Sequence, residues 1–458
     1  MDINSLRVKF NELTLESESH WDYQGKGRSE RDYVHGVCTY PAMMVPKMQR
    51  EILEVCLSQI DENERICLLD PFAGSGTILV EGMLKGVDIV GVDINPLAIL
   101  LCKAKTTIIL PEILIDCSKQ LKSRINKIRS KRLKDFHFDG IDKWFTNAAI
   151  KDLTILRKSI IEEPLVEIRR FFWAAFCEVV RIVSNSRDCT YKLHIKAQED
   201  INNYNKDAIE IFVQTLDYNI SKYLSFYSNL KDNGRLKKGG RSYKGFIEIR
   251  LSNSIEYLKH TRRKFNLVLT SPPYGDNHTT VSYGQYSIMP LRWIQWTDID
   301  DAVNAEVLKT LSGIDKISLG GRSSNDFLND KHMDVLNHSA KLNNQYNQIA
   351  AIDTEKVQKL VAFYSEYDEL LSAISKRLRG KTVSVWTLGN RKIAKQEICM
   401  NEIMEELCHN HNMTLLTSFT RKISNKRMPE LNSYTGKEKS QQSTMTREHI
   451  LVFVKEDT

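Results

Sequence analysis

ICLLDPFAGSGTILVEGMLKGVDIVGVDINP, residues 66–96, decides the fold. Its first apolar run ends in Asp70 and opens into a turn carrying Gly74 and Gly76. ILVEGMLKG then predicts a helix, and DIVGVD predicts a second strand ending in Asp93. Strand, glycine-rich turn, helix, strand and acid are the opening of a doubly wound α/β sheet. The two glycines allow a backbone to approach a ligand closely, and the following helix presents free N–H groups at its start. Asp93 falls where a carboxylate accepts hydrogen bonds from ribose hydroxyls. The turn lacks both G-x-G-x-x-G and a terminal Gly-Lys-Ser/Thr, so it matches neither a dinucleotide fingerprint nor a phosphate loop.

Outward from this stretch the same alternation continues. A helix is expected from Ala98 to about residue 112. Residues 113–245 form a long, mostly helical insertion that includes WFTNAAIKDLTILRKSI and FFWAAFCEVVRIV. GFIEIRLSNSIEYL (245–258) and FNLVLTSPPY (265–274) resume the strand pattern, and residues 276–355 read as a polar, irregular second insertion. Val357, Leu360, Val361 and Tyr364 have helical spacing and start a helix expected to reach Arg379, with Gly380 ending it. Strand KTVSVWTLGN, helix EICMNEIMEELCHN, strand MTLLTSFTRKI and a last strand EHILVFVK close the chain. The expected division is 1–112 and 246–275 as the first parts of the core, 356–458 as its second half, and the two insertions between them.

The 458 residues suffice for a full core, and 41% hydrophobic with 27% charged residues is ordinary for a soluble globular protein. No apolar run is long enough to cross a bilayer, and MDINSLRVKFNEL lacks the pattern of a secretory signal. Nine cysteines occur without a C-x-x-C pair, which argues against a zinc site or disulfide framework and for a reducing cytoplasm. His35 and His278 have no companions at metal-ligand spacing, so no metal is expected. The net charge of +7 is unevenly spread. KQLKSRINKIRSKRLK (119–134) holds eight Lys/Arg and no acid, with Leu121, Ile125 and Ile128 at helical spacing. RLKKGGRSYKG (235–245) is a second basic cluster, in a glycine-containing loop. Each is open to two readings, a solvated surface or a phosphate contact.

Ser271-Pro272-Pro273-Tyr274 ends the fourth strand pattern abruptly. Two prolines remove two backbone donors and fix two φ angles, leaving a stiff corner rich in acceptors beside an aromatic face. Asp70-Pro71-Phe72, the glycines, Asp93-Ile94-Asn95-Pro96 and SPPY together resemble the amino-group DNA methyltransferases, which methylate exocyclic nitrogens of cytosine or adenine using S-adenosyl-L-methionine. HGVCTYPAMMVPKM (35–48) looks like that family's N-terminal cofactor segment, with Tyr40-Pro41 as its signature. The resemblance implies a Rossmann-like seven-stranded methyltransferase core with a large helical and a smaller irregular insertion. It assigns cofactor binding to Tyr40, Asp70, Phe72, Gly74, Ser75, Gly76, Thr77, Asp93 and Asn95. Asn253, which ends the third strand where the family often has an acid, is divided between contact with the cofactor's adenine and ordinary strand-end polarity. Catalysis falls to Ser271, Pro272, Pro273 and Tyr274, in the SPPY form typical of cytosine-N4 enzymes; adenine-N6 enzymes more often carry Asp or Asn in place of Ser271.

The expected activity is site-specific transfer of a methyl group to N4 of cytosine in double-stranded DNA after base flipping, as the modifying half of a restriction–modification system with a cognate endonuclease. Adenine-N6 methylation of DNA and guanine-N2 methylation of tRNA are the alternatives. With no module after the last strand, target reading is expected in residues 113–245, helped by 276–355. Lys127, Arg129, Lys131, Arg132, Lys237, Lys238 and Arg241 are the expected DNA contacts. Trp144 and Trp173 read as core; Trp293 and Trp296 are divided between core and base pocket. NKRMPELN (425–432) is a further loop expected near DNA or cofactor.

Overall fold

A computed structural model describes residues 2–15, 21, 31–61, 63–187, 191–203, 206–275, 280–321, 330–394, 396–423, 431–433, 441–443 and 447–456. Seven strands make the central sheet: β1 (Cys67–Asp70), β2 (Asp88–Asp93), β3 (Ile247–Leu251), β4 (Phe265–Thr270), β5 (Leu378–Leu388), β6 (Thr414–Lys422) and β7 (Arg447–Lys455). Their order is β3-β2-β1-β4-β5-β7-β6. The first five are parallel, and β7 runs antiparallel to both its neighbours. The strand order reverses between β1 and β4, so a crevice opens outside their carboxyl ends. Every residue of β4 is buried, as a parallel strand covered on both faces requires.

Three boundaries differ from the sequence reading. The helix after β2 is Pro96–Thr106, and Pro111 opens a separate helix, Pro111–Arg129. Proline excludes the helical conformation from the residue before it, so one continuous pattern becomes two helices. Gly380 does not end a helix: Thr354–Ser375 stops earlier, and Gly380 lies within β5 at φ +52°. The register there jumps from Phe265 opposite Leu378 to Leu267 opposite Val383, and the left-handed glycine absorbs the extra residues. The final helix is Met400–Asn410, because residues 397 and 398 belong to a hairpin, Arg391–Ile393 with Gln396–Ile398.

The first insertion packs directly onto the core. Helices Asn147–Ile161, Val166–Val183 and Ala208–Asp232 share one buried cluster with Pro96–Thr106 and the sheet. Phe172, Trp173 and Phe176 sit at its centre, and Trp173 Nε1 donates to Asp298 at 2.8 Å. The second insertion holds helices Tyr283–Trp293 and Ala340–Ala350 among shorter turns. Leu342, Gln345 and Ile349 form a buried stripe too narrow to show through its Asn/Gln-rich sequence. No helix among the described residues is long and apolar enough to cross a membrane.

Candidate active site

The carboxyl edge of the sheet carries an open cleft of about 920 Å³, a volume that takes in the solvent at its mouth. Gly74 (φ +49°) and Gly76 (φ +77°) adopt left-handed conformations that other residues reach only with strain. A Cβ on Gly76 would also lie 3.2 Å from Cys102 Sγ. The turn is held from below: Lys105 is buried and its Nζ donates to the Ser75 carbonyl at 2.7 Å. Desolvation pulls this ammonium down to about 8. Gly74 N–H and Asn95 N–H donate to the two oxygens of Asp93, each at 2.8 Å. Burial raises the Asp93 carboxyl to about 6 despite those bonds. Each oxygen keeps a lone pair, so accepting from a ribose remains open to it.

Asp70 has a different position. It is fully buried and does not line the cleft. Its Oδ1 accepts from Thr270 Oγ1 at 2.6 Å and Phe72 N–H at 3.1 Å, fastening β1 to β4 beneath the turn. Its Oδ2 has no hydrogen-bond partner among the described residues, and desolvation raises the carboxyl to about 7. Gly76 likewise shapes the turn without lining the cleft, whereas Tyr40, Phe72, Gly74, Ser75, Thr77, Asp93, Asn95 and Asn253 all line it. Asn253 Oδ1 is committed to capping helix Ser254–His260 through Ile255 N–H and Glu256 N–H, leaving its Nδ2 for a ligand.

Ser271 and Pro273 line the same cleft, at the carboxyl end of β4. Ser271 Oγ is 3.5 Å from the Tyr274 hydroxyl, which donates to Glu448 Oε1 at 3.2 Å. Arg421 grips Glu448 in turn, through Nε at 2.7 Å and Nη2 at 2.5 Å. This chain holds the tyrosine ring from the far strands. Pro272, which is buried, and Tyr274, which packs against a hydrophobic cluster, support the corner without lining the cleft.

Among the residues that escaped the sequence reading, Tyr283, Ser287, Glu448 and Arg421 tie the site together. Tyr283 lines the cleft with its ring 5.9 Å from that of Tyr40. Burial, with the Asp93 carboxylate next, raises its phenol. Ser287, one helical turn later, accepts from Asn95 Nδ2 at 2.7 Å, and the same Nδ2 reaches Tyr40 OH at 3.1 Å. The i, i+4 spacing of Tyr283 and Ser287 was the available signal. Glu448 and Arg421 are cross-strand partners and had no local signal at all.

The basic clusters lie elsewhere. Lys127, Arg129, Lys131 and Arg132 are exposed at the end of helix Pro111–Arg129, where Arg129 comes within 3.9 Å of Asp207. Lys237, Lys238 and Arg241 occupy a turn at the amino edge of the sheet: Tyr243 OH donates to the Val87 carbonyl at 2.9 Å, and Phe246 N–H donates to Asp88, the first residue of β2. The structure does not bring either cluster to the cleft. Trp144 and Trp173 are buried core, and Trp293 is enclosed by Phe136, Phe138 and Phe145. Trp296 donates to the Leu291 carbonyl at 2.6 Å. His35 is buried against Glu81 at 2.8 Å. His278 and residues 425–430 lie outside the described residues.

The family model UPF0020, RMKL-like, methyltransferase domain, matches residues 35–159, which take in Tyr40, the glycine-rich turn and Asp93. The chain is 33% identical over 432 residues to Type II methyltransferase M.MvaI of Kocuria varians, covering 92% of this chain and 91% of that protein. It is 30% identical over 118 residues to Type II methyltransferase M.MjaII of Methanocaldococcus jannaschii, covering 23% of this chain and 21% of that one. A solved structure, the rRNA methyltransferase aviRa from Streptomyces viridochromogenes, aligns over 93% of this chain and 91% of that chain at 10% identity, with a TM-score of 0.31.

Proposed function

The chain belongs to the Type II DNA methyltransferase family, and from that premise we propose that it methylates N4 of a flipped cytosine in duplex DNA, in the cytoplasm, as the modifying partner of a restriction endonuclease. Members of the family generally use S-adenosylmethionine, which supplies an electrophilic methyl group on a sulfonium. The observation carrying the proposal is that Ser271 and Pro273 open into the same cleft as Gly74, Ser75 and Asp93.

The cleft fits the cofactor's chemistry. Asp93 can accept from ribose hydroxyls, and Asn253 Nδ2 can donate to a ring nitrogen of adenine. The aromatic faces of Tyr40 and Tyr283 suit a sulfonium, whose charge an aromatic quadrupole attracts.

An exocyclic amine is a poor nucleophile because its lone pair is delocalised into the ring. Ser271 Oγ and the carbonyl fixed by the two prolines accept hydrogen bonds from the two amine N–H groups, favouring a pyramidal nitrogen with an available lone pair. Tyr274, held by Glu448, braces the corner from behind, and the ring of Tyr283 in the cleft is a face on which an extruded base can stack. Stacking of about 1–3 kcal/mol offsets part of the few kcal/mol that flipping costs. Alignment does most of the work, so rigidity in the loop is an advantage.

Labelled S-adenosylmethionine with duplex DNA and with tRNA, followed by mass spectrometry of the methylated nucleoside, tests the proposal. N4-methylcytosine in DNA is expected. N6-methyladenine would overturn the base assignment, and methylated guanine in tRNA would overturn the substrate.

A further inference from the structure

A residue beneath the cofactor cleft, outside every sequence motif, has a role that rests on the proposed function. We propose that Lys105 is a positioning residue for S-adenosylmethionine: its buried ammonium, acting through the Ser75 carbonyl, keeps the free donors of the glycine-rich turn aimed at the cofactor.

Lys105 lies on helix Pro96–Thr106 and is 1% exposed. Its Nζ donates to the Ser75 carbonyl at 2.7 Å, and no carboxylate among the described residues pairs with it. In helix Thr77–Lys85, Val80 N–H bonds to the Gly76 carbonyl. The Ser75 carbonyl lies one residue outside this ladder and needs a donor from elsewhere. A neutral hydroxyl or amide would supply one, whereas an ammonium buried without a counter-charge costs stability. The charge is more than that bond requires, and the other face of the turn gives it a use.

Ser75 and Thr77 line the cleft at 4% and 2% exposure, and neither hydroxyl has a hydrogen-bond partner among the described residues. Gly76 N–H is already bonded to the Ala73 carbonyl at 2.7 Å, so it is not one of the free donors. The first N–H groups of a helix are left unpaired by its own ladder and favour an anion. The cofactor's amino-acid end carries a carboxylate, and a fixed cation behind the turn adds to the attraction.

The Cys102 thiol on the same helix, Cys38 and His35 on the N-terminal segment, and the Arg31 guanidinium are the titratable and charged groups that face Lys105. Burial raises the Cys102 thiol and lowers His35, so both are uncharged near neutral pH. Desolvation brings Lys105 itself down to about 8, so its charge is lost in an accessible range.

S-adenosylhomocysteine, the demethylated cofactor, is the probe, titrated by calorimetry against the full chain. Lys105→Met keeps the reach of the side chain and removes the charge. At about pH 7 it should bind the probe about 10-fold more weakly than the wild type. Wild-type affinity should fall by about 5-fold between about pH 7 and 9, closing the gap to about 2-fold. Taking the ratio of the two proteins cancels titration of the probe and of Cys38. A residue that only supported the fold would leave the gap independent of pH, so a constant gap, or equal affinities, overturns the inference. If Lys105→Met fails to fold, the wild-type profile decides, and an affinity flat across that range overturns the inference. If the wild type binds no S-adenosylhomocysteine at any pH, the proposed function falls; if it binds the probe and the gap stays constant, this inference alone falls.

Discussion

Asp70 and Ser271 show how single side chains divide the labour at this site. Asp70 is a buried fastener whose carboxyl is raised to about 7, above its ordinary value of 3.8. The folded state therefore holds its proton more tightly than the unfolded chain does. That contribution to stability is complete below about pH 4 and is lost as pH rises through about 7. His35 and His449 oppose this trend, because burial lowers both. Comparison with Asp70→Asn isolates the carboxyl: the stability of the wild type relative to the variant should fall by about 2–3 kcal/mol between about pH 5 and 8, read from denaturant melts. A flat difference would show that Asp70 is not protonated in the fold. Ser271→Ala removes one acceptor for the target amine and should lower kcat about 10–100-fold with little change in cofactor affinity. Glu448→Gln keeps the packing but weakens the grip on Tyr274, and single-turnover rates should fall by about 10-fold while duplex affinity holds. The first two residues stand out in the sequence because they sit in motifs; Glu448 does not, since its role depends on a partner 174 positions away.

At the scale of elements, the glycine-rich turn is the part most legible from sequence. Gly76 has φ +77° and caps helix Thr77–Lys85, with Cys102 Sγ filling the space a Cβ would need. Gly76→Ala should cost about 1–2 kcal/mol from backbone conformation alone and shift the turn that carries Ser75. Weaker S-adenosylmethionine binding, by about 10-fold or more in calorimetry, is the expected outcome. Helix Tyr283–Trp293 was not legible. Its sequence carries Ser, Gly and an internal Pro290, all poor helix formers, and it is stabilised by packing and by the Asn95–Ser287 bond. Gly380 misled for a related reason: a glycine after a helical pattern suits a helix end and a strand irregularity equally well, and the pairing of β5 with β4 decides between them.

Across the whole molecule, the helical insertion shares one buried cluster with one face of the sheet, while the other face packs in a second cluster with helices Thr354–Ser375 and Met400–Asn410, so the insertion has no core separate from the sheet. Unfolding followed by circular dichroism and by tryptophan fluorescence should give coincident transitions. Phe176→Ala, in the insertion, should destabilise both signals together by about 3–5 kcal/mol. Two separated transitions would contradict the shared core. By itself the sequence determined the α/β class and the positions of the glycine-rich turn and the SPPY corner, and it pointed to ten of the residues that line the cleft. Those features are encoded by neighbours a few positions apart, where steric and hydrogen-bonding rules act locally. The tertiary structure alone decided that Tyr283, Glu448 and Arg421 join the site, and that the basic clusters of residues 119–134 and 235–245 stand away from it. Local pattern records which residues are charged or aromatic. Strand order and direction determine which of them share an edge, and those are set by long-range packing.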